Sequence, residues 1–272
     1  MPRFYLSSAF ITAFVVGMAS CSNYQTIPET AATTSIPQKS KTNTKPPKWS
    51  YNGNTGPEYW GDLEEASICK IGQQQSPINI QQVRASNNAV PAMSYSKNAS
   101  IRINDNGHTI VYTPTEPNNS IMINNERFEL KQFHYHTPSE HQFDGQTYPA
   151  EMHFVHANNS GNLAVIGVML KQGTANTMAR LLVNGTKLSA KNKADVMVNG
   201  IDLNALIPAV TTFYHYDGSL TTPPCSEKVQ WFVAKQPLEL SNDQLAVMTK
   251  LYDGNNRPTQ KQGTRMVKHL GR

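Results

Sequence analysis

Five of the eight histidines in this 272-residue chain fall between positions 134 and 156: His134, His136, His141, His153 and His156. Neutral imidazole is the commonest metal ligand among side chains. His134 and His136 are two apart, so on a strand they share a face with Gln132. In the following apolar segment Glu151, His153 and Val155 share a face, while His156 points the other way. If the two strands lie side by side with those faces aligned, three imidazoles converge. Three histidines plus a water make an open catalytic zinc site. Gln132 and Glu151 are then placed to accept hydrogen bonds from ligand N–H groups, which fixes the rings. Spacing alone leaves other readings open. A His-x-His pair also occurs on surfaces and in cores, and His153 and His156 could share a metal on a helix. The β character of Met152-His-Phe-Val and the turn signal after it disfavour the helix.

The elements that must position these residues are mostly strands. Ile101 to Asn104 alternates, Asp105-Asn106-Gly107 is a turn signal, and Thr109 to Thr113 resumes a strand. Phe128 to His136 and Glu151 to His156 are further strands, the second followed by the turn Asn158 to Gly161. Leu163 to Leu170 is a continuous apolar run, as expected of a strand buried on both faces. Gln230 to Ala234 is a last clear strand. Helical signals are fewer. Ser241 and Gln244 have capping-box spacing before Leu245, Met248 and Tyr252. Residues 176–189 give a second, weaker helical segment. The expected fold class is mainly β (α+β), a large sheet with short peripheral helices.

Composition fits a globular protein, with 38% hydrophobic and 16% charged residues. The net charge of +5 is concentrated at the N-terminus: residues 1–48 carry five basic groups against Glu29 alone. The rest holds 19 basic and 18 acidic residues with no arginine stripe or basic helix, so a footprint for nucleic acid is missing. Arg3 precedes an apolar run from Phe10 to Ala19, which reads as an export signal and is short for a membrane span. It ends in Met18-Ala19-Ser20-Cys21, similar to a bacterial lipobox with methionine in place of the usual leucine. Cys21 is therefore a candidate for lipidation, which would attach the chain to a membrane. Ordinary cleavage after Ala19 is the alternative. The expected location is periplasmic, either free or as an anchored lipoprotein. Residues 22–48 are rich in Thr, Ser, Pro, Asn and Lys and are expected to be a flexible linker after a 1–21 signal. The folded domain is expected over 49–270. Of three cysteines, setting aside Cys21 leaves Cys69 and Cys225. Export implies an oxidising compartment, so these two are expected to form a disulfide, with two buried free thiols as the alternative.

The segment Gln132-Phe-His-Tyr-His-Thr-Pro-Ser-Glu-His141 resembles the zinc-ligand strand of α-class carbonic anhydrases in their bacterial, exported form. Glu151-Met-His-Phe-Val-His156 resembles the strand that gives their third ligand. Further blocks fall in the family's order: Trp49-Ser-Tyr51 with Gly56 to Trp60, Gln75 to Ile80, Asn106-Gly-His108, Ser219 to Pro224, and Asn256-Arg-Pro258. The resemblance covers about residues 49–270.

It implies a strongly twisted, mostly antiparallel central sheet of about ten strands. It also implies zinc-dependent, reversible hydration of carbon dioxide to bicarbonate and a proton by a metal-bound hydroxide. The cofactor is Zn2+, held by His134, His136 and His153. Thr221 resembles the threonine that accepts the hydroxide's hydrogen and donates its own to a carboxylate, the position of Glu140. Val155, Val165, Leu220, Thr222 and Trp231, with Thr221, match the substrate pocket. Tyr51 and Asn106 match residues that order water, and His108 matches the proton shuttle. His141 and His156 match structural positions. Val111 and Ser50 depart from frequent family residues; the first implies an altered water network, and neither is one of the implied ligands or of the threonine–glutamate pair. Non-catalytic binding proteins on this fold have lost one or more of the zinc histidines; all three are present here. A structural lipoprotein that binds envelope polymers would call for aromatic or basic repeats, which are missing. The oligomeric state is left open, a homodimer among the options.

Overall fold

The computed structural model describes residues 49–209 and 212–271. The expected signal, Cys21 and the linker lie outside the described residues. In chain order the elements are α1 (Ile68–Ile71), β1 (Asn79–Ile80), β2 (Val83–Ala85), β3 (Ala92–Ser94), β4 (Ala99–Asp105), β5 (Ile110–Pro114), β6 (Ser120–Ile123) and β7 (Glu126–His136). Then come β8 (Gln142–Phe143), β9 (Ala150–Ala157), β10 (Leu163–Gln172), α2 (Thr177–Asn192), β11 (Val196–Ile201), β12 (Phe213–Ser219), β13 (Glu227–Ala234), β14 (Leu238–Leu240), α3 (Asn242–Leu251) and β15 (Val267–Leu270).

Thirteen strands form one mixed sheet, and its main run is the ten-strand order β11-β4-β5-β7-β9-β10-β13-β12-β15-β2. The other three, β3, β6 and β14, pair alongside it. Most pairs are antiparallel, but β10 runs parallel to β13 and β14, and β15 parallel to β2. Local chemistry explains the hairpins. Gly107 takes φ +85° in the β4–β5 turn, where a side chain would be strained. Asn124 and Asn125 take φ +49° and +66° between β6 and β7, a conformation that asparagine tolerates.

Alternation on the central strands divides the core. One face carries Phe133, Phe154, Ile166 and Phe232 and is covered by α2 and α3 residues such as Leu182 and Leu245. Helix α2 approaches closely through Gly185, where a Cβ would lie 2.5 Å from Ile103 and Val198. Asn176 caps α2 by accepting from the Ala179 N–H, and Ser241 with Gln244 forms the capping box of α3. Tyr252 is not within α3, as its spacing suggested, but is its extended C-cap residue. The opposite face carries Val165, Tyr216, Trp231 and Val233, and the rings of His141 and His153 lie against Trp231 of this second core. Among the described residues, no helix is long and apolar enough to cross a membrane.

Candidate active site

Strands β7 and β9 pair antiparallel with His134 opposite His153 and His136 opposite Glu151. That register aligns the two histidine faces. The ligand nitrogens of His134, His136 and His153 lie within 4.8 Å of one another, a group able to hold a metal ion. Each ring has one nitrogen taken. His134 Nδ1 donates to Gln132 Oε1 at 2.8 Å, His136 Nδ1 to the Asn255 carbonyl at 2.6 Å, and His153 Nε2 to Glu151 Oε1 at 2.9 Å. These bonds leave Nε2 of His134 and His136 and Nδ1 of His153 as lone-pair donors. Burial holds all three imidazoles below the ordinary histidine pKa, His136 at about 4, so they are neutral at pH 7. A neutral ring is the form that ligates a metal.

Glu151 anchors the cluster. Its Oε1 accepts from both His153 and His141, and its Oε2 accepts the backbone N–H groups of Glu140 and His141. Burial alone would raise its pKa, but His141 and His153 outweigh burial and hold it well below the usual carboxylate range. A second trio, His141, Glu151 and His153, is also compact enough for a metal. Both Glu151 oxygens are already taken, Oε1 by His141 and His153 and Oε2 by two backbone N–H groups, and His141 Nε2 bonds Tyr216 Oη at 2.6 Å. His156 faces away and is fixed by Tyr95 Oη at 2.7 Å and the Ala164 carbonyl at 3.2 Å.

Glu140 is fully buried, and its Oε1 accepts the Arg257 N–H at 2.8 Å. Its Oε2 and His136 Nε2 are both buried without a hydrogen-bond partner and lie 3.6 Å apart. Burial pushes the Glu140 pKa up to about 7, against the opposing pull of His153 and the Arg257 N–H. Thr221 is buried in the loop after β12, which the Cys69–Cys225 disulfide closes from the other side. The Thr222 carbonyl accepts the Cys225 N–H at 2.8 Å.

The apolar wall comes from three neighbouring strands. Val165 pairs with Val155 on β9 and with Trp231 on β13. Leu220 packs against the same cluster. Tyr51, Asn106 and His108 border one hollow with Trp49 and Tyr252. Asn106 Oδ1 is engaged by the N–H groups of His108 and Thr109. His108 stacks flat on Trp49, with ring centroids 3.7 Å apart and planes at 8°. Its partial burial lowers its pKa, and Asp105 opposes the shift.

Sequence reasoning missed Asn255 and Tyr216, and it quoted Arg257 only within the Asn256-Arg-Pro258 block, with no role assigned. Arg257 is buried, and its guanidinium bonds Gln75 Oε1 and the Ser76 and Cys69 carbonyls. The available signal was an Asn-Asn-Arg run between Gly254 and Pro258, too polar for an ordinary core segment.

A twisted sheet that gathers three neutral, converging imidazoles beside an apolar wall defines a metal-enzyme type of site. The family model described as eukaryotic-type carbonic anhydrase matches residues 55–271. A carbonic anhydrase of Klebsiella pneumoniae is 42% identical over 222 residues, covering 80% of this chain and 89% of the relative. One of Pectobacterium carotovorum is 37% identical over 224 residues, 81% and 90% of the two chains. The structure of a hyperthermostable carbonic anhydrase from an active hydrothermal vent chimney superposes with a TM-score of 0.75 at 42% identity, covering 82% of this chain and all of that one. The chain belongs to the α-class carbonic anhydrase family and is an enzyme of that family.

Proposed function

We propose that this enzyme hydrates carbon dioxide reversibly with one zinc ion held by His134 Nε2, His136 Nε2 and His153 Nδ1. The observation that carries the assignment is the buried, unpartnered His136 Nε2 beside the unpartnered Glu140 Oε2. Buried polar atoms without partners are costly, and a metal ligated by one and a hydroxyl bonded to the other would remove both costs. As a Lewis acid, bound zinc makes water nucleophilic at neutral pH, as is known for carbonic anhydrases.

The chain's own residues do the rest. The Arg257 N–H fixes Glu140 Oε1, so Oε2 is free to accept the Thr221 hydroxyl proton. With its proton committed, the Thr221 oxygen can only accept, and this orients a hydroxyl nucleophile's hydrogen away from the substrate. Val155, Val165, Leu220 and Trp231 offer carbon dioxide an apolar surface that bicarbonate, an anion, does not favour. His108, half-exposed at the rim, passes the released proton to buffer.

The test is metal analysis with a hydration assay. Zinc at one per chain is expected, and His153→Ala should lose both metal and activity while His156→Ala keeps both. The reverse result would overturn the ligand assignment. Export with lipidation at Cys21 is proposed from the sequence alone. Mass spectrometry of the mature N-terminus tests it, and a chain starting at Ser20 without lipid would refute lipidation.

A further inference from the structure

The turn that carries His108 is fastened at three points. Asp105 Oδ1 accepts the Gly107 N–H at 2.8 Å and also the hydroxyl of Tyr252. Asn106 Oδ1 accepts the N–H groups of His108 and Thr109, both at 2.9 Å. The His108 carbonyl accepts Asn255 Nδ2 at 3.1 Å, and Asn255 is the residue whose carbonyl holds His136. The backbone at His108 is thus tied to the histidine cluster. Its imidazole is left to stack on Trp49.

The Asp105–Tyr252 bond joins β4 to the end of α3. Tyr252 reaches it because it leaves the helix in an extended conformation at the C-cap. A tyrosine continuing α3 would point elsewhere on the helix surface. Other polar groups surround the turn. Tyr51, Tyr252 and Asp253 border the same hollow as His108, and Lys193 and Asp195 border a hollow on the other side of Asp105. Burial raises both tyrosines above their ordinary pKa, so neither is charged at neutral pH. Lys193 and Asp195 have opposite signs and offset each other at a distance. Asp105 is the acid bonded into the turn itself, and its carboxylate favours the protonated imidazole against partial burial.

We propose that Asp105, clasped between Tyr252 and the Gly107 N–H, is a positioning residue that holds the His108 turn and keeps a negative charge within it. The inference deepens the shuttle reading of His108 and rests on it for its catalytic consequence. Neither the Asp105–Tyr252 clasp nor the charge it holds needs a metal.

The test uses the zinc-loaded full chain and its Asp105→Asn and Tyr252→Phe variants, with His108 followed by proton NMR through a pH titration. Asp105→Asn should lower the His108 pKa, because it removes the one charge that opposes burial there. The pH midpoint of kcat in dilute buffer should move down with it, while kcat/KM for carbon dioxide stays level. Tyr252→Phe keeps the carboxylate but opens the clasp, so the ring-current shift of His108 from Trp49 should shrink. A His108 titration unchanged in Asp105→Asn, or a ring-current shift unchanged in Tyr252→Phe, would overturn the proposal. The two readings fail separately: kcat unchanged in His108→Ala ends the shuttle role, whereas the NMR arms report on Asp105 whatever His108 does in turnover.

Discussion

The backbone N–H of Arg257 donates to Glu140 Oε1 at 2.8 Å across 117 positions of sequence. The same residue sends its guanidinium to Gln75, Ser76 and Cys69 and lies over the Trp60 ring. Glu140 is therefore located by a residue that also bonds the N-terminal part of the domain, with Oε2 left without a partner. Glu140→Gln replaces that acceptor pair with one acceptor and one donor. The expected result is a fall in kcat/KM of about 10²-fold, the usual cost of one lost orienting bond, with zinc still at one per chain. Stopped-flow hydration with metal analysis checks this. Zinc falling in step with activity would make Glu140 a metal-retention residue instead.

Cys69 and Cys225 are bonded across 156 positions. Gln75 Nε2 donates to the Cys225 carbonyl at 3.1 Å and Arg257 to the Cys69 carbonyl at 2.9 Å, so both half-cystines enter the network that ends on Glu140. Peptide mapping of unreduced, unfolded protein should find neither residue reactive to thiol reagents. The Cys69→Ser/Cys225→Ser double variant should lose stability, roughly 4–5 kcal/mol at most for so long a loop. Activity should decline before zinc is lost, because the threonine loop loosens first. Free thiols at both positions would remove the basis for this.

Some of this site was legible in the sequence because it obeys local periodicity. His134 with His136, and Glu151 with His153, are two apart on strands, and Gln132 lies within the same period. The continuous run at β10 announced burial on both faces, and Ser241 with Gln244 announced a helix start. The partners that finish the site follow no period. Asn255 reaches His136 from 119 positions away, and Tyr216 reaches His141 from 75. Such pairs are fixed by sheet order, and the parallel β10–β13 contact in particular has no signature in either strand. The extra strands beyond the main run were hidden for another reason. Segments of three or four residues such as β3, β6 and β14 are too short to display alternation.

Gly218, just before the threonine loop, sits where a Cβ would lie 2.2 Å from Ser76 Oγ, 2.7 Å from Tyr216 and 2.9 Å from Trp231. Ser76 Oγ bonds both the Ser219 N–H and Tyr216 Oη, and Tyr216 Oη bonds His141. Gly218→Ala should therefore push on the chain that leads through His141 and Glu151 to His153. A destabilisation of about 1–3 kcal/mol is expected for such overpacking, with weaker zinc retention against a chelator. Wild-type chelator kinetics in a destabilised variant would show that the displacement stops at Ser76.

His156 gives a pH dependence whose sign is fixed by its burial. Burial holds its folded-state pKa at about 3, against an ordinary value of 6.5. Above pH 6.5 it is neutral whether folded or unfolded and contributes nothing to the slope. Between 6.5 and 3 the unfolded chain binds a proton that the folded one does not, so stability falls as pH drops, by up to about 1.4 kcal/mol per unit. His156→Gln can still accept from Tyr95 and does not titrate. Urea unfolding of the zinc-free forms at pH 6.5 and 5 should show a smaller acid loss in the variant. Equal losses would place the acid sensitivity elsewhere, with His134 and His136 next in line.

The proposed hydration would release a proton at the buried histidine cluster, and that proton must reach solvent before the next turnover. A shuttle needs a group that titrates near neutral pH, lies between cluster and solvent, and can turn its ring. Histidine is the side chain whose unperturbed pKa meets the first condition. For the second, His108 borders the hollow beside Tyr51 and is joined to the cluster through Asn255, whose Nδ2 donates to the His108 carbonyl and whose carbonyl accepts from His136. The third rests on stacking: the ring is held by contact with Trp49 at 3.7 Å, and the turn's hydrogen bonds fix backbone atoms. A stacked ring can rotate inward at the cost of one aromatic contact, about 0.5–1.5 kcal/mol. His108→Ala should lower kcat in dilute buffer, by about 10²-fold if it acts at the low end of what general acid–base groups supply. It should leave kcat/KM for carbon dioxide nearly level, because proton export follows the chemical step. Added imidazole should restore kcat in a saturable way. If kcat in dilute buffer is unchanged, protons leave by another route, and a second hollow that Tyr51 borders together with Pro57 and Tyr59 becomes the place to look.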